Sequence, residues 1–259
     1  MRKSVFVLIL ISVSSSLFAQ KKKKGEKQDP AKQEMQTPPV VQAQTDAKPA
    51  KDTTQKVDRL TQHYAMKYSA AVQWSDYEVA KDALYDLIVE NPGNDSLIYD
   101  LAVFYYQNQK YPPAVLVSQE LLKRNPKNTA ALEISAAGYE NLGVFDRSLQ
   151  SYESLYLLLN NPATLYKMAF IQLRLKRYKE SLTSADILLT GKDAETLKIT
   201  YTGANNLPKE YLMKVALLNL KGMIAEEQGD KVTAKKYYQE SLAQAPDFPL
   251  AKENLAKLK

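Results

Sequence analysis

The chain of 259 residues contains no cysteine. That excludes disulfides, thiolate metal sites, paired-cysteine redox chemistry and a cysteine nucleophile. It also removes the lipidated cysteine that would tether an exported bacterial lipoprotein. There is one histidine, His63, so the usual nitrogen and sulfur ligands for zinc cannot be assembled, and no companion pattern makes it part of a catalytic triad. No phosphate-binding P-loop, dinucleotide glycine fingerprint or His-Glu-x-x-His string occurs. The expectation is therefore no enzyme, no metal and no cofactor. The single tryptophan, Trp74, reads as core or inter-unit packing.

The net charge of +6 suggests nucleic acid until its distribution is inspected. Residues 1–59 hold 12 Lys/Arg against 6 Asp/Glu, whereas residues 60–259 hold 23 of each. A clustered basic face is what releases counterions from phosphates. A neutral domain with interspersed signs argues against a nucleic-acid partner.

Arg2 and Lys3, the apolar run Val5–Ile11, the small residues Ser12–Ser16 and the exit Leu17-Phe18-Ala19-Gln20 have the layout of a secretory signal peptide. The run is shorter than the roughly 20 residues that span a bilayer. Residues 1–19 are thus expected to be cleaved, leaving no transmembrane segment in the mature chain and a periplasmic or secreted protein. Residues 20–56 contain no aromatic side chain and four prolines, a composition that cannot offset its ordering entropy. They read as a basic, polar linker. Within it, Lys21–Lys24 fits either attraction to an anionic membrane surface or a solvated spacer, and the spacer is the simpler reading.

From Val57 onward, apolar residues recur at helical spacing, as in Leu84, Leu87 and Ile88 or Leu217, Leu220 and Ile224. A longer period is superposed. Asn91-Pro92 and Asn125-Pro126 each close a run, 34 residues apart; Asn161-Pro162 follows, and Ala245-Pro246 closes the last long run. With units starting at Thr61, Asp95, Thr129, Pro162 and Val215, the eighth position carries Ala102, Ala136, Ala169 and Gly222. The twentieth carries Ala80, Ala114, Ser148, Ser181 and Ala234. Small residues there let two helices cross closely. Tyr105, Tyr111, Tyr139, Phe145, Tyr152, Tyr178 and Tyr238 would fill the space around the crossing.

This two-helix unit resembles the tetratricopeptide repeat family, over about residues 60–248. The resemblance implies an all-α, right-handed solenoid of about five helical hairpins over residues 57–259, with units near 61–94, 95–128, 129–161, 162–190 and 215–248. The chain departs from the family pattern in lacking Trp at the fourth position, in having Tyr68 at the eighth position of the first unit, and in an insertion at 191–209. Leu197–Tyr201 alternates as a strand does and Thr202–Asn206 reads as a turn. A short hairpin or loop is expected there, either a contact site or a spacer, followed by a long helix from Pro208 or Lys209. Residues 249–259 have one apolar face and suit a capping helix.

In the resembled family the concave surface of the first helices binds peptides. Carried over position by position, the candidate peptide-binding residues are Tyr99, Val103, Tyr106, Glu133, Glu140, Asn141, Tyr166, Phe170 and Arg174. Tyr99 and Glu133 stand where a carboxylate clamp would need a basic residue. The implied ligand is a protein or peptide with apolar and some basic side chains. The expected function is an exported scaffold or adaptor; the alternative is an envelope-surface binder acting through Lys21–Lys24.

Overall fold

The computed structural model describes residues 58–202 and 207–258. The expected signal peptide, the linker with Lys21–Lys24 and residues 203–206 of the expected turn lie outside the described residues.

Five antiparallel helix pairs follow one another: α1 (Arg59–Gln73) with α2 (Tyr77–Glu90), α3 (Asp95–Gln107) with α4 (Tyr111–Arg124), α5 (Thr129–Asn141) with α6 (Phe145–Leu159), α7 (Pro162–Arg174) with α8 (Tyr178–Thr190), and α9 (Met213–Glu227) with α10 (Lys231–Gln244). The final helix, α11 (Pro249–Lys257), covers the last pair. Its Leu255 and the following Leu258 pack on Ala225 and Tyr238. The fold is an all-α helical-repeat solenoid.

The pairs cross where the small residues predict. Ala80, Ala102, Ala114, Ala136, Ser148, Ala169, Ser181 and Ala234 are completely buried. Where serine replaces alanine, its hydroxyl donates to the carbonyl on the facing helix: Ser148 Oγ to Ala136 O at 2.8 Å and Ser181 Oγ to Ala169 O at 2.7 Å. No polar group is left unpaired by the substitution. Gly222 has a different reason. A Cβ there would overlap the ring of Tyr238, which is itself fully buried.

A second recurrence lies in the turns. Ser75, Gln109, Gly143, Lys176 and Gly229, with φ of 59°, 58°, 73°, 59° and 83°, are the left-handed residues between the helices of each pair. After each, the next amide donates back to the first helix, as in Lys110 N to Tyr105 O at 2.9 Å and Arg177 N to Gln172 O at 2.8 Å. This is the geometry that ends a helix through one αL residue. Between pairs, Asn94, Asn128 and Asn161 accept a backbone N–H with their side chains and so start α3, α5 and α7.

Three expectations change. Asn161-Pro162 does not close a helix. Asn160, left-handed, ends α6, and Pro162 opens α7, because proline lacks the N–H that the first turn leaves unused. Pro208 does not open a helix; it is the first residue of a strand, and α9 begins at Met213. A proline suits the start of either element, and pairing with the preceding strand decides. Trp74 is not packed but 76% exposed, at the α1–α2 turn. It joins Met66, Tyr77 and Val89 as exposed apolar side chains of the first pair, where Ala71 is the buried residue of α1.

The insertion is built as a 3-10 turn, Lys192–Glu195, and an antiparallel hairpin of β1 (Lys198–Thr202) and β2 (Pro208–Leu212). Ile199 pairs with Tyr211 and Tyr201 with Lys209. Alternation puts Ile199, Tyr201 and Tyr211 on one face, and all three are buried. Their anchor is Phe248, fully buried, with ring centroids 5.9 Å from Tyr201 and 4.9 Å from Tyr211.

Candidate functional site

The helix period puts Tyr99, Val103 and Tyr106 on one side of α3, and Glu133, Glu140 and Asn141 on the matching side of α5. Tyr99, Val103 and Tyr106 are half-buried, packed against the cluster of Ala102, Ala114 and Ile134. Tyr106 is held from two directions. Its ring meets Tyr111 edge-on at 5.6 Å, and the Asn141 amide donates to its hydroxyl at 3.5 Å. Asn141 is fixed in turn by a bond to Ala137 O at 2.8 Å.

The carboxylates divide into two kinds. Glu140 accepts from the Tyr152 hydroxyl at 3.0 Å and lies 3.6 Å from the Lys167 ammonium, so its charge is matched. Glu133 is exposed and forms no ion pair among the described residues, and neither does Asp100 beside it on α3. Burial pushes the Asp100 carboxyl above its ordinary pKa. The tyrosines respond to the same groups. Burial first, then Glu133 and Asp100, raise the Tyr99 hydroxyl. Burial first, then Tyr111 and Glu140, raise that of Tyr106, against a small opposing effect of Asn141. The Tyr99 and Tyr106 phenols therefore stay neutral at physiological pH, next to carboxyl groups. Such a surface offers hydroxyl donors and acceptors, aromatic edges and faces, and uncompensated negative charge. It suits apolar side chains and the ammonium or guanidinium of a basic residue.

The other three candidates separate from this cluster. Tyr166 is buried, 5% exposed, with its ring 4.9 Å from that of Phe170. Both line a narrow cleft shared with Ile199, Thr200 and Tyr201 of β1, Ala216 and Asn219 of α9, and Phe248. Asn219 is buried and bonded to Asn254 at 3.1 Å. Arg174 is exposed at the end of α7. Tyr166 occupies the same place in its unit as Tyr99, but the inserted hairpin takes it out of solvent. Nothing in residues 162–174 themselves signals this; the difference arises 33 residues downstream of Tyr166, at Ile199.

Position-by-position transfer overlooks Asp100 and the pairing of Glu140 with Tyr152 and Lys167. The Glu–Tyr pair does have a sequence signal. It recurs twelve residues apart as Glu226 and Tyr238, where the hydroxyl donates at 2.7 Å. Among the described residues no group of His, Asp and Glu side chains could hold a metal ion, and no helix is long and apolar enough to cross a membrane. His63 is exposed on α1, beside the Tyr64 ring.

No protein-family model matches the chain, and no curated protein matches it. Solved structures do. A tetratricopeptide repeat protein from Parabacteroides merdae ATCC 43184 superposes with a TM-score of 0.62 at 18% identity, covering 78% of this chain and 73% of that one. MamA superposes with a TM-score of 0.56 at 13% identity, covering 76% and 94%. MamA residues 41 to the end, from Desulfovibrio magneticus RS-1, gives 0.57 at 11% identity, covering 74% and 98%. With the buried small-residue crossings and the five left-handed turns, these likenesses give this chain a tetratricopeptide-type fold.

Proposed function

We propose that this protein is an exported, non-catalytic scaffold that holds a protein partner against the concave side of α3 and α5. The observation that carries the reading is the cluster of half-buried Tyr99, Val103 and Tyr106 beside the unpaired carboxylates of Asp100 and Glu133. Half-buried aromatics with satisfied or reachable hydroxyls are the usual anchors of protein contacts. The unpaired charge selects a segment with basic as well as apolar side chains. Export rests on the layout of residues 1–19.

The test is affinity purification from an envelope extract with the unaltered chain and with a Tyr99→Ala/Tyr106→Ala variant, partners being read by mass spectrometry. Loss of one or more partners in the variant supports the groove. Identical partner sets would sink it. Asp100→Asn/Glu133→Gln should weaken the same capture and reduce its sensitivity to salt.

A further inference from the structure

The cleft beneath β1 is not an ordinary packing seam. Tyr166 and Phe170 of α7 and Ala216 and Asn219 of α9 are the residues that, by their place in the repeat, belong to the concave side. Tyr166 and Asn219 correspond to Tyr99 of α3, Phe170 to Val103 and Ala216 to Ser96. In the first half of the repeat this side is open, while over α7 and α9 it carries the chain's own strand. Ile199 and Tyr201 point into it from alternate positions of β1, as a bound extended segment would.

The hairpin is fixed in that place at several points. Tyr201 and Tyr211 pack on Phe248. Lys209 pairs with Asp247 and lies 5.4 Å from the Tyr211 ring. At its base, Met213 N donates to Leu197 O at 2.8 Å. The exposed ion pair adds little by itself; the buried rings do most of the holding.

We propose that the β1–β2 hairpin is a specificity-determining stop, a permanent intramolecular occupant that closes the concave side over α7 and α9 and confines a partner to α1, α3 and α5. This rests on the scaffold reading above. Packed helices lie about 8–10 Å apart and α3 packs on α5, so the uncovered first helices span on the order of 20 Å. An extended chain advances about 3.3 Å per residue, so the docked segment of a partner is short, about six residues.

Because the chain has no cysteine, single thiols report closure directly in the full-length protein. The thiol of Val103→Cys should react with dithiobis(nitrobenzoic acid) at least tenfold faster than that of Ala216→Cys. Adding Tyr211→Ala to Ala216→Cys should raise its rate at least tenfold. Phe248→Leu serves as the milder opening variant should Tyr211→Ala unfold. Rates for Val103→Cys and Ala216→Cys within threefold of each other overturn the closure. A second arm places photoreactive benzoylphenylalanine at Tyr106 or at Leu250 and exposes each protein to envelope extract. Partner adducts from Tyr106 and none from Leu250 support the stop. Equal adducts from both overturn it. Absence of adducts at both positions overturns the scaffold reading, while the thiol rates still decide the closure on their own.

Discussion

The Tyr238 hydroxyl donates to Glu226 at 2.7 Å, and twelve residues apart in another unit Tyr152 donates to Glu140 at 3.0 Å. In both pairs the phenol comes from the second helix and the carboxylate from the first. The bond crosses the seam just beyond the small-residue contact and locks the pair in register. In the Tyr152 pair it also places the Glu140 carboxylate on the side where partners are proposed to dock, with its orientation set from behind.

Tyr152→Phe and Tyr238→Phe remove the donor and keep the ring. Each carboxylate is half-exposed and regains water, so each variant should lose about 1–2 kcal/mol in urea unfolding. Tyr152→Phe should also loosen Glu140 and weaken partner capture, whereas Tyr238→Phe should leave capture unchanged.

Gly222→Ala adds one methyl group against the buried Tyr238 ring. Overpacking of this kind costs about 1–3 kcal/mol. The reverse change in another unit, Ala102→Gly, meets no clash and should cost about 1 kcal/mol through backbone entropy. Thermal unfolding of the two variants reads both magnitudes.

The left-handed turn residues give a paired prediction. Gly143→Ala, at φ 73°, should lose about 1–2 kcal/mol because a Cβ is strained there. Lys176→Gly, at φ 59°, should lose nothing, the relieved strain offsetting the added entropy of the unfolded chain. Urea midpoints of both variants against the parent decide it.

Alkaline pH should unfold the protein in a window set by its tyrosines. Burial, the bond to Tyr85 and neighbouring charge push the Tyr105 hydroxyl up to about 12. Burial, with Glu226, raises that of Tyr238 further, and burial, with Glu140, that of Tyr152. A folded-state pKa above the ordinary value near 10 means that the unfolded chain releases its proton first. The contribution is therefore complete below pH 10 and is lost as pH rises through the folded values. Urea midpoints should be flat from pH 7 to 9 and fall steadily above 10. The fall should be shallower in a Tyr152→Phe/Tyr238→Phe double variant.

The repeat was legible in the sequence because its demands are local and periodic. Alanine, serine or glycine at matching places of successive units has one structural meaning when helices must cross, and every pair carries it on at least one of its two helices. The turns were less legible, because Ser75, Gln109 and Lys176 do the work of glycine without its signature. The side proposed for docking was legible only in part. Tyr99, Val103, Tyr106, Glu133, Glu140 and Asn141 follow from register alone. The fate of Tyr166 depends on a hairpin whose strand β2 starts with a proline that also suits a helix, and register within a single helix carries no information about what folds back over it.

The left-handed turns bear on how such a chain can drift. One residue per unit must accept an unusual backbone conformation, and glycine, serine, glutamine and lysine all do so here. The crossings accept alanine or serine, since the hydroxyl finds a carbonyl. The remaining positions of a unit answer mainly to polarity and size. The sequence can thus change residue by residue while the geometry persists, and structures only 18%, 13% and 11% identical to this chain still superpose on it.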